Sequence, residues 1–176
     1  TCTGASAEAT LAWLLEQNDD PDSVFYQKAD RSHIGISGHS QGGVAVFNAV
    51  SEQPHGGLYI CAVSLSPTEW ALAMAIGLDY DPGKMTTPTL ILAAPENDVI
   101  TPDGVKGLAD AIPAGTVRAL RPGMDHGRML YSADGYVTAW FMWQLQGDQN
   151  AAKAFVGESP EILNNPMYQD VAVDLE

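Results

Sequence analysis

Four short apolar runs in the chain have the length and composition of β-strands. They span residues 33–37, 58–65, 88–94 and 116–120. The runs at 58–65 and 88–94 are almost continuously apolar, which is typical of strands in a parallel sheet that is buried on both faces. Gly35 interrupts the first run, although the isoleucines on either side of it keep the strand pattern. The chain therefore predicts a sheet of four strands.

Segments with helical spacing separate these strands. Residues 7–17 place Leu11, Leu14 and Leu15 on one face of a helix, and Ser6 precedes it as a cap. Three further segments with helical spacing lie at 41–53, 102–112 and 136–145. Strands that alternate with helices indicate a mostly parallel α/β architecture, in one domain over residues 1–176.

Two segments depart from this alternation. Residues 66–87 form a long insertion between the second and third strands. Residues 150–176 form a tail, in which a short helix at 151–157 ends at a glycine. Several prolines and asparagines follow, so we expect the rest of the tail to be irregular chain that wraps the surface or frays.

The most informative motif is Gly-His-Ser-Gln-Gly at residues 38–42, between the strand at 33–37 and the helix at 41–53. A serine on such a strand-to-helix elbow presents its hydroxyl to a base from elsewhere in the fold, which activates it as a nucleophile. The motif therefore indicates a hydrolase with Ser40 as its nucleophile. The alternative interpretation is a Gly-rich turn that holds an ordinary serine.

A carboxylate for this site is expected on the next strand but one, and Asp98 follows the run at 88–94. It would lie beside the serine if the two strands were neighbours in the sheet. Glu96 and Asp103 are competing carboxylates. Asp103 better suits the first turn of a helix that Thr101 caps, where a negative charge complements the helix dipole. Asp98 is therefore the predicted acid.

The base should come last in the chain order, and His126 is the histidine that follows Asp98. It lies in a Gly-rich loop after the fourth strand. His33 and His55 belong to the opposite edge of the sheet, and His39 is expected to pack beside the serine or to tune the site. The alternative for His126 is a loop histidine with a structural hydrogen bond.

These assignments predict a triad in which Asp98 orients His126 and His126 takes the Ser40 proton. The oxyanion that forms needs backbone N–H donors, and Gln41, as the residue after the nucleophile, supplies the first. The second donor is expected from a loop after an earlier strand. No such strand is predicted ahead of the elbow.

The sequence resembles the α/β-hydrolase superfamily, and within it the cutinase, PET-hydrolase and dienelactone-hydrolase-like esterases. The residues that carry the resemblance are the motif at 38–43, the order of Asp98 and His126, and the closing helix at 138–148. The resemblance covers about residues 7–157. It implies an α/β-hydrolase-like fold that lacks the N-terminal strands, as in the C-terminal part of a longer hydrolase, a minimal form or a processed protein.

The resemblance also implies hydrolysis of carboxylic esters through an acyl-serine intermediate, with no metal and no organic cofactor. The substrate would be a small-molecule or polymeric ester. Trp70 lies where polyester-cleaving relatives carry a cleft aromatic residue, so Trp70 and His39 are the candidate substrate-binding residues. The alternative for Trp70 is that it anchors the insertion at 66–87 into the core. This insertion would form only a small lid, which favours short-to-medium esters as substrates.

Composition restricts the partners. A net charge of −14, from 22 acidic and 8 basic side chains, opposes binding to nucleic acid or to anionic membranes. No apolar run predicts a membrane span, and the acidic surface is compatible with a secreted or extracellular location. Cys61 is expected to be a free, buried thiol on a strand and Cys2 a free thiol in a frayed terminus, with a disulfide between them as the alternative. The oligomeric state stays open.

A second hypothesis belongs to a different class of function. Without the early strands and their oxyanion donor, the chain could serve as a non-catalytic α/β-hydrolase-like module for binding or assembly. An open sheet edge would then favour pairing with another chain.

Overall fold

A computed structural model describes residues 2–175 of the chain, which form a five-stranded sheet with helices on both faces. The strand order along the sheet is β1-β2-β3-β4-β5. The first four strands run parallel and the fifth is antiparallel. The strands are β1 Ile34–His39, β2 Tyr59–Leu65, β3 Thr89–Ala93, β4 Thr116–Leu120 and β5 Gln169–Asp174.

Helices connect the parallel strands and close the chain. They are α1 Ala5–Asp19, α2 Gln41–Ser51, α3 Trp70–Ala75, α4 Pro102–Ala111, α5 His126–Ser132, α6 Asp134–Gln146, α7 Gln149–Ala152 and α8 Glu161–Asn164, with 3-10 turns at Gly56–Leu58 and Pro82–Lys84. None of the helices in residues 2–175 has the length and apolar character needed to cross a bilayer.

The predicted mostly parallel α/β sheet is confirmed, because β1 to β4 coincide with the four apolar runs to within two residues at either end. As expected, no strand precedes β1 among residues 2–175, so β1 is an edge strand. β2 lies between β1 and β3, so the strands that precede the serine and the acid are not neighbours in the sheet.

The prediction of an irregular C-terminal tail is also wrong. Residues 169–174 form β5, which pairs with β4 and places Val173 opposite Val117. Val171 and Val173 alternate along the strand and pack against the apolar cluster that contains Trp140. Burial of this alternating face, together with the pairing of the β4 edge, accounts for a strand where the prolines suggested none.

The core lies in two layers, one on each face of the sheet. The first packs side chains of α1, α2 and α4 against the sheet and includes Cys2, while the second packs α6 and the segment after it and includes Cys61. Both cysteines are free, as expected, and Cys61 is buried. The expectation of a frayed terminus at Cys2 is wrong, because this side chain packs into the first layer of the core. Because the two cysteines lie in different layers, the sheet separates their thiols.

Candidate active site

The nucleophile elbow is a sharp turn between β1 and α2. Ser40 lies at its apex with φ +60° and ψ −124°, a strained conformation for a residue other than glycine. The turn requires close contact of its two glycines, since a Cβ at Gly38 would collide with the carbonyl oxygen of Gly42. The Ser40 N–H donates to the carbonyl oxygen of Leu65 at 2.9 Å, which ties the elbow to the end of β2.

Parallel strands bring the other predicted residues to the same edge of the sheet. Asp98 lies in the loop after β3, and His126 is the first residue of α5 after β4. The prediction that His126 lies in a loop is therefore wrong, because this residue begins a helix. Asp125, the residue before it, is the N-cap of this helix, since its side chain accepts a hydrogen bond from the Arg128 N–H at 2.9 Å.

The three side chains form a continuous chain of hydrogen bonds. Nδ1 of His126 lies 2.8 Å from Oδ1 of Asp98, and Nε2 of His126 lies 2.9 Å from Oγ of Ser40. An ionised carboxylate can only accept, so the imidazole proton belongs on Nδ1. Nε2 is then free to accept the Ser40 hydroxyl proton, which is the orientation that a general base requires.

The Asp98 carboxylate is well fixed. Its side chain is only 1% exposed, and its oxygens also accept the N–H groups of Ala94 at 2.8 Å and Val99 at 2.7 Å. A further hydroxyl donor comes from Ser66 at 2.6 Å. Sequence reasoning missed Ser66, although its position one residue after a buried strand at the catalytic edge was an available signal.

The competing carboxylates lie elsewhere. Asp103 occupies the first turn of α4, where Thr101 accepts the Gly104 N–H at 3.0 Å as the predicted cap. Glu96 is exposed on the loop that carries Asp98. The order of residues in the loop therefore gives Asp98 the position that faces the imidazole.

The remaining histidines fall into two groups. His33 pairs with Asp30 and His55 pairs with Glu8, each at 2.7 Å, near the amino ends of β1 and β2. Because the triad lies at the carboxyl ends of these strands, both residues are remote from it, as the sequence predicted. His39 is different, since it belongs to the elbow.

His39 contacts the base from the side. Its Nε2 lies 2.7 Å from the carbonyl oxygen of His126, so this nitrogen carries a proton and donates. The two imidazole rings lie 4.6 Å apart between centroids and are tilted by 32°. The structure thus joins His39 to His126, and a role for His39 in substrate binding stays a prediction.

The predicted oxyanion donor, the N–H of Gln41, lies in the first turn of α2. The first backbone hydrogen bond of this helix runs from the Val44 N–H to the Ser40 carbonyl oxygen at 3.1 Å. The N–H of Gln41 precedes that ladder, next to the serine, as an oxyanion donor must. Residues 2–175 contain no strand ahead of β1 whose loop could supply the second donor.

Trp70 begins α3, and its side chain is 54% exposed. It borders a cleft of about 1000 Å³ between α2, α3 and α4, and the triad side chains do not line that cleft. The structure therefore does not unite Trp70 with the triad, and its contact with a substrate stays a prediction. The exposed ring does not act as a core anchor for the insertion.

Residues 2–175 hold no cluster of three His, Cys, Asp or Glu side chains suited to binding a metal ion. Comparison with protein-family models and with curated proteins finds no match for this chain. The functional assignment therefore depends on the chemistry of the site itself.

Proposed function

We propose that the protein is a serine hydrolase that cleaves carboxylic esters through an acyl-serine intermediate. The observation that carries the proposal is the hydrogen-bond chain from Ser40 through His126 to Asp98, with distances of 2.9 and 2.8 Å. The strained elbow adds support, because it holds the hydroxyl at the edge of the sheet where the base can reach it.

In the acylation half of the reaction, the Ser40 hydroxyl oxygen attacks the ester carbonyl carbon while its proton passes to Nε2 of His126. The carbonyl oxygen becomes an oxyanion that the Gln41 N–H stabilises. The tetrahedral intermediate collapses when His126 returns the proton to the leaving alcohol. Asp98 stabilises the imidazolium that exists between these two transfers.

Deacylation repeats the sequence with water as the nucleophile. His126 takes a proton from the water molecule, whose oxygen attacks the acyl carbon, and then returns a proton to the Ser40 oxygen. The carboxylic acid leaves and the serine is regenerated. We propose short-to-medium acyl chains as the substrate class, with polyesters as the polymeric form of it, because the insertion at 66–87, which contains α3, would form only a small lid.

The test is hydrolysis of a series of p-nitrophenyl esters by the intact protein and by Ser40→Ala. We expect the variant to lose about 10⁴-fold or more in kcat, because removal of the nucleophile abolishes the covalent route. Ser37→Ala is the matched control, since Ser37 is an exposed serine on β1, outside the hydrogen-bond chain. A fluorophosphonate should label Ser40 in the wild-type protein and the control.

The alternative proposal is a non-catalytic module for binding or assembly, which the open outer edge of β1 favours. This alternative predicts no turnover and no labelling of Ser40 by the fluorophosphonate. Equal hydrolysis by the wild-type protein and Ser40→Ala would likewise remove the hydrolase proposal.

A further inference from the structure

Ser66 is a buried serine directly after β2 that the acyl-transfer steps above do not use. Its relative exposure is 0%, and its φ of +40° lies in the left-handed region that residues other than glycine seldom adopt. Strained backbone of this kind persists where the surrounding contacts fix it, and it concentrates at functional sites. The contacts of Ser66 must therefore hold this conformation in place.

Two hydrogen bonds hold Ser66 against β3 and the loop that follows it. Its N–H donates to the carbonyl oxygen of Leu92 at 2.8 Å, which continues the pairing of β2 with β3 by one residue. Its hydroxyl donates to Oδ2 of Asp98 at 2.6 Å. The backbone bond fixes where Ser66 lies, and the left-handed turn directs its hydroxyl at the carboxylate.

The two oxygens of Asp98 receive four donors between them. Oδ1 accepts from the Val99 N–H and from Nδ1 of His126, while Oδ2 accepts from the Ala94 N–H and the Ser66 hydroxyl. Four bonds match the acceptor capacity of an ionised carboxylate. Apart from His126 itself, Ser66 is the donor that comes from outside the loop of Asp98, so it restrains the carboxylate relative to the sheet.

We infer that Ser66 is a positioning residue for the proposed triad, whose hydroxyl holds Asp98 in the rotamer that directs Oδ1 at His126. Without this hydroxyl, Oδ2 would keep the Ala94 N–H alone, and a buried charge would lose part of its compensation. The carboxylate could then turn about its Cβ–Cγ bond, and the imidazole would lose its fixed orientation. This inference rests on the proposed function and extends it to the support of the acid.

The first test compares Ser66→Ala and Ser66→Gly with the wild-type protein in ester hydrolysis. We expect kcat to fall about 10- to 100-fold in both variants, the range for loss of a hydrogen bond to a charged group, with KM changed less than twofold. Glycine suits a φ of +40°, so a fall in that variant cannot come from backbone strain. A kcat within twofold of wild type in both variants would overturn the inference.

Ser64→Ala is the matched control. Ser64 lies on β2, two residues before Ser66, is also 0% exposed, and donates its hydroxyl to the carbonyl oxygen of Gly43 at 3.1 Å. It therefore reproduces the loss of a buried serine hydroxyl without a contact to the acid. We expect this variant to keep its kcat, and an equal loss in it would assign the effect to general packing and overturn the inference.

The second test does not depend on turnover. The proton between Nδ1 of His126 and Asp98 should give a downfield proton NMR resonance, which we expect to shift or broaden in both Ser66 variants and to stay unchanged in Ser64→Ala. An unchanged resonance in folded Ser66→Gly would refute the positioning role. Absence of both hydrolysis and Ser40 labelling in the wild-type protein would instead refute the proposed function, and the resonance would still decide the role of Ser66.

Discussion

The contact between His39 and His126 joins the elbow to the candidate base. The His39 ring donates to the backbone carbonyl of His126 at 2.7 Å, while the ring planes overlap at a centroid distance of 4.6 Å. His39, the neighbour of Ser40, thus fixes the backbone that carries the imidazole. The geometry favours a positioning role for His39 over a direct contact with substrate.

We predict that His39→Phe lowers kcat about fivefold, because it keeps an aromatic ring but loses one neutral hydrogen bond worth about 1 kcal/mol. His39→Gln retains a side-chain N–H and should recover part of the loss. Steady-state hydrolysis of a p-nitrophenyl ester measures both variants. A rise in KM at unchanged kcat would support the substrate-binding role instead.

The candidate triad residues could be named from the sequence, but their support could not. Chain order and the strand-to-helix context single out Ser40, Asp98 and His126, since each follows a predicted strand in the expected sequence. Ser66 also follows a strand, yet its meaning depends on which strands are neighbours. The pairing of β2 with β3 brings the end of β2 against the loop of Asp98.

The two glycines of the elbow between β1 and α2 have opposite surroundings. A Cβ at Gly38 would strike the carbonyl oxygen of Gly42, whereas a Cβ at Gly42 would meet no atom within 4 Å. Gly38→Ala should therefore separate β1 from α2 and cost about 3 kcal/mol or more in the free energy of unfolding. Gly42→Ala should leave that free energy within about 0.5 kcal/mol of wild type.

Chemical denaturation of the two variants checks this prediction, with the wild-type protein as reference. The substitutions are chemically identical and lie four residues apart, so composition cannot explain a difference between them. Equal loss of stability in both would mean that the turn does not depend on the close approach of these two residues.

The bounds of the strands could be predicted from the sequence where the strands are fully buried. The strands β2 and β3 are nearly fully buried, and their apolar runs were evident. β5 was missed because its burial is only partial and its alternating pattern amounts to Val171 and Val173 beside acidic neighbours. Its pairing with β4 is a tertiary contact, which local sequence does not encode.

Buried thiol and phenol groups on both faces of the sheet make the stability of the fold depend on pH. Burial raises the pKa of the Cys61 thiol to about 12 and the pKa of the Tyr80 phenol to about 12. Cys61 lies in the layer under α6 and Tyr80 in the layer under α2 and α4. The pKa values of Tyr59, Tyr136 and Tyr168 are also raised, with burial as the largest cause.

The sign of the effect on stability follows from the unfolded chain, where the thiol titrates near pH 9 and the phenols near pH 10. Above those values the unfolded state has lost protons that the folded state still holds, so deprotonation favours unfolding. The stabilisation is complete below pH 9 and is lost as pH rises toward 12. We predict that Cys61 and Tyr80 together lower the free energy of unfolding by roughly 4 kcal/mol between pH 8.5 and pH 11.

Urea denaturation across this range measures the fall, and Cys61→Ala identifies its first component. This variant should be less stable than wild type at pH 8, because it leaves a small cavity in the layer under α6. It should nevertheless lose less stability between pH 9 and pH 10, since the group that titrates first is absent. If the variant and the wild-type protein declined in parallel over that interval, the thiol would not be the origin of the early loss, and the tyrosines alone would have to account for it.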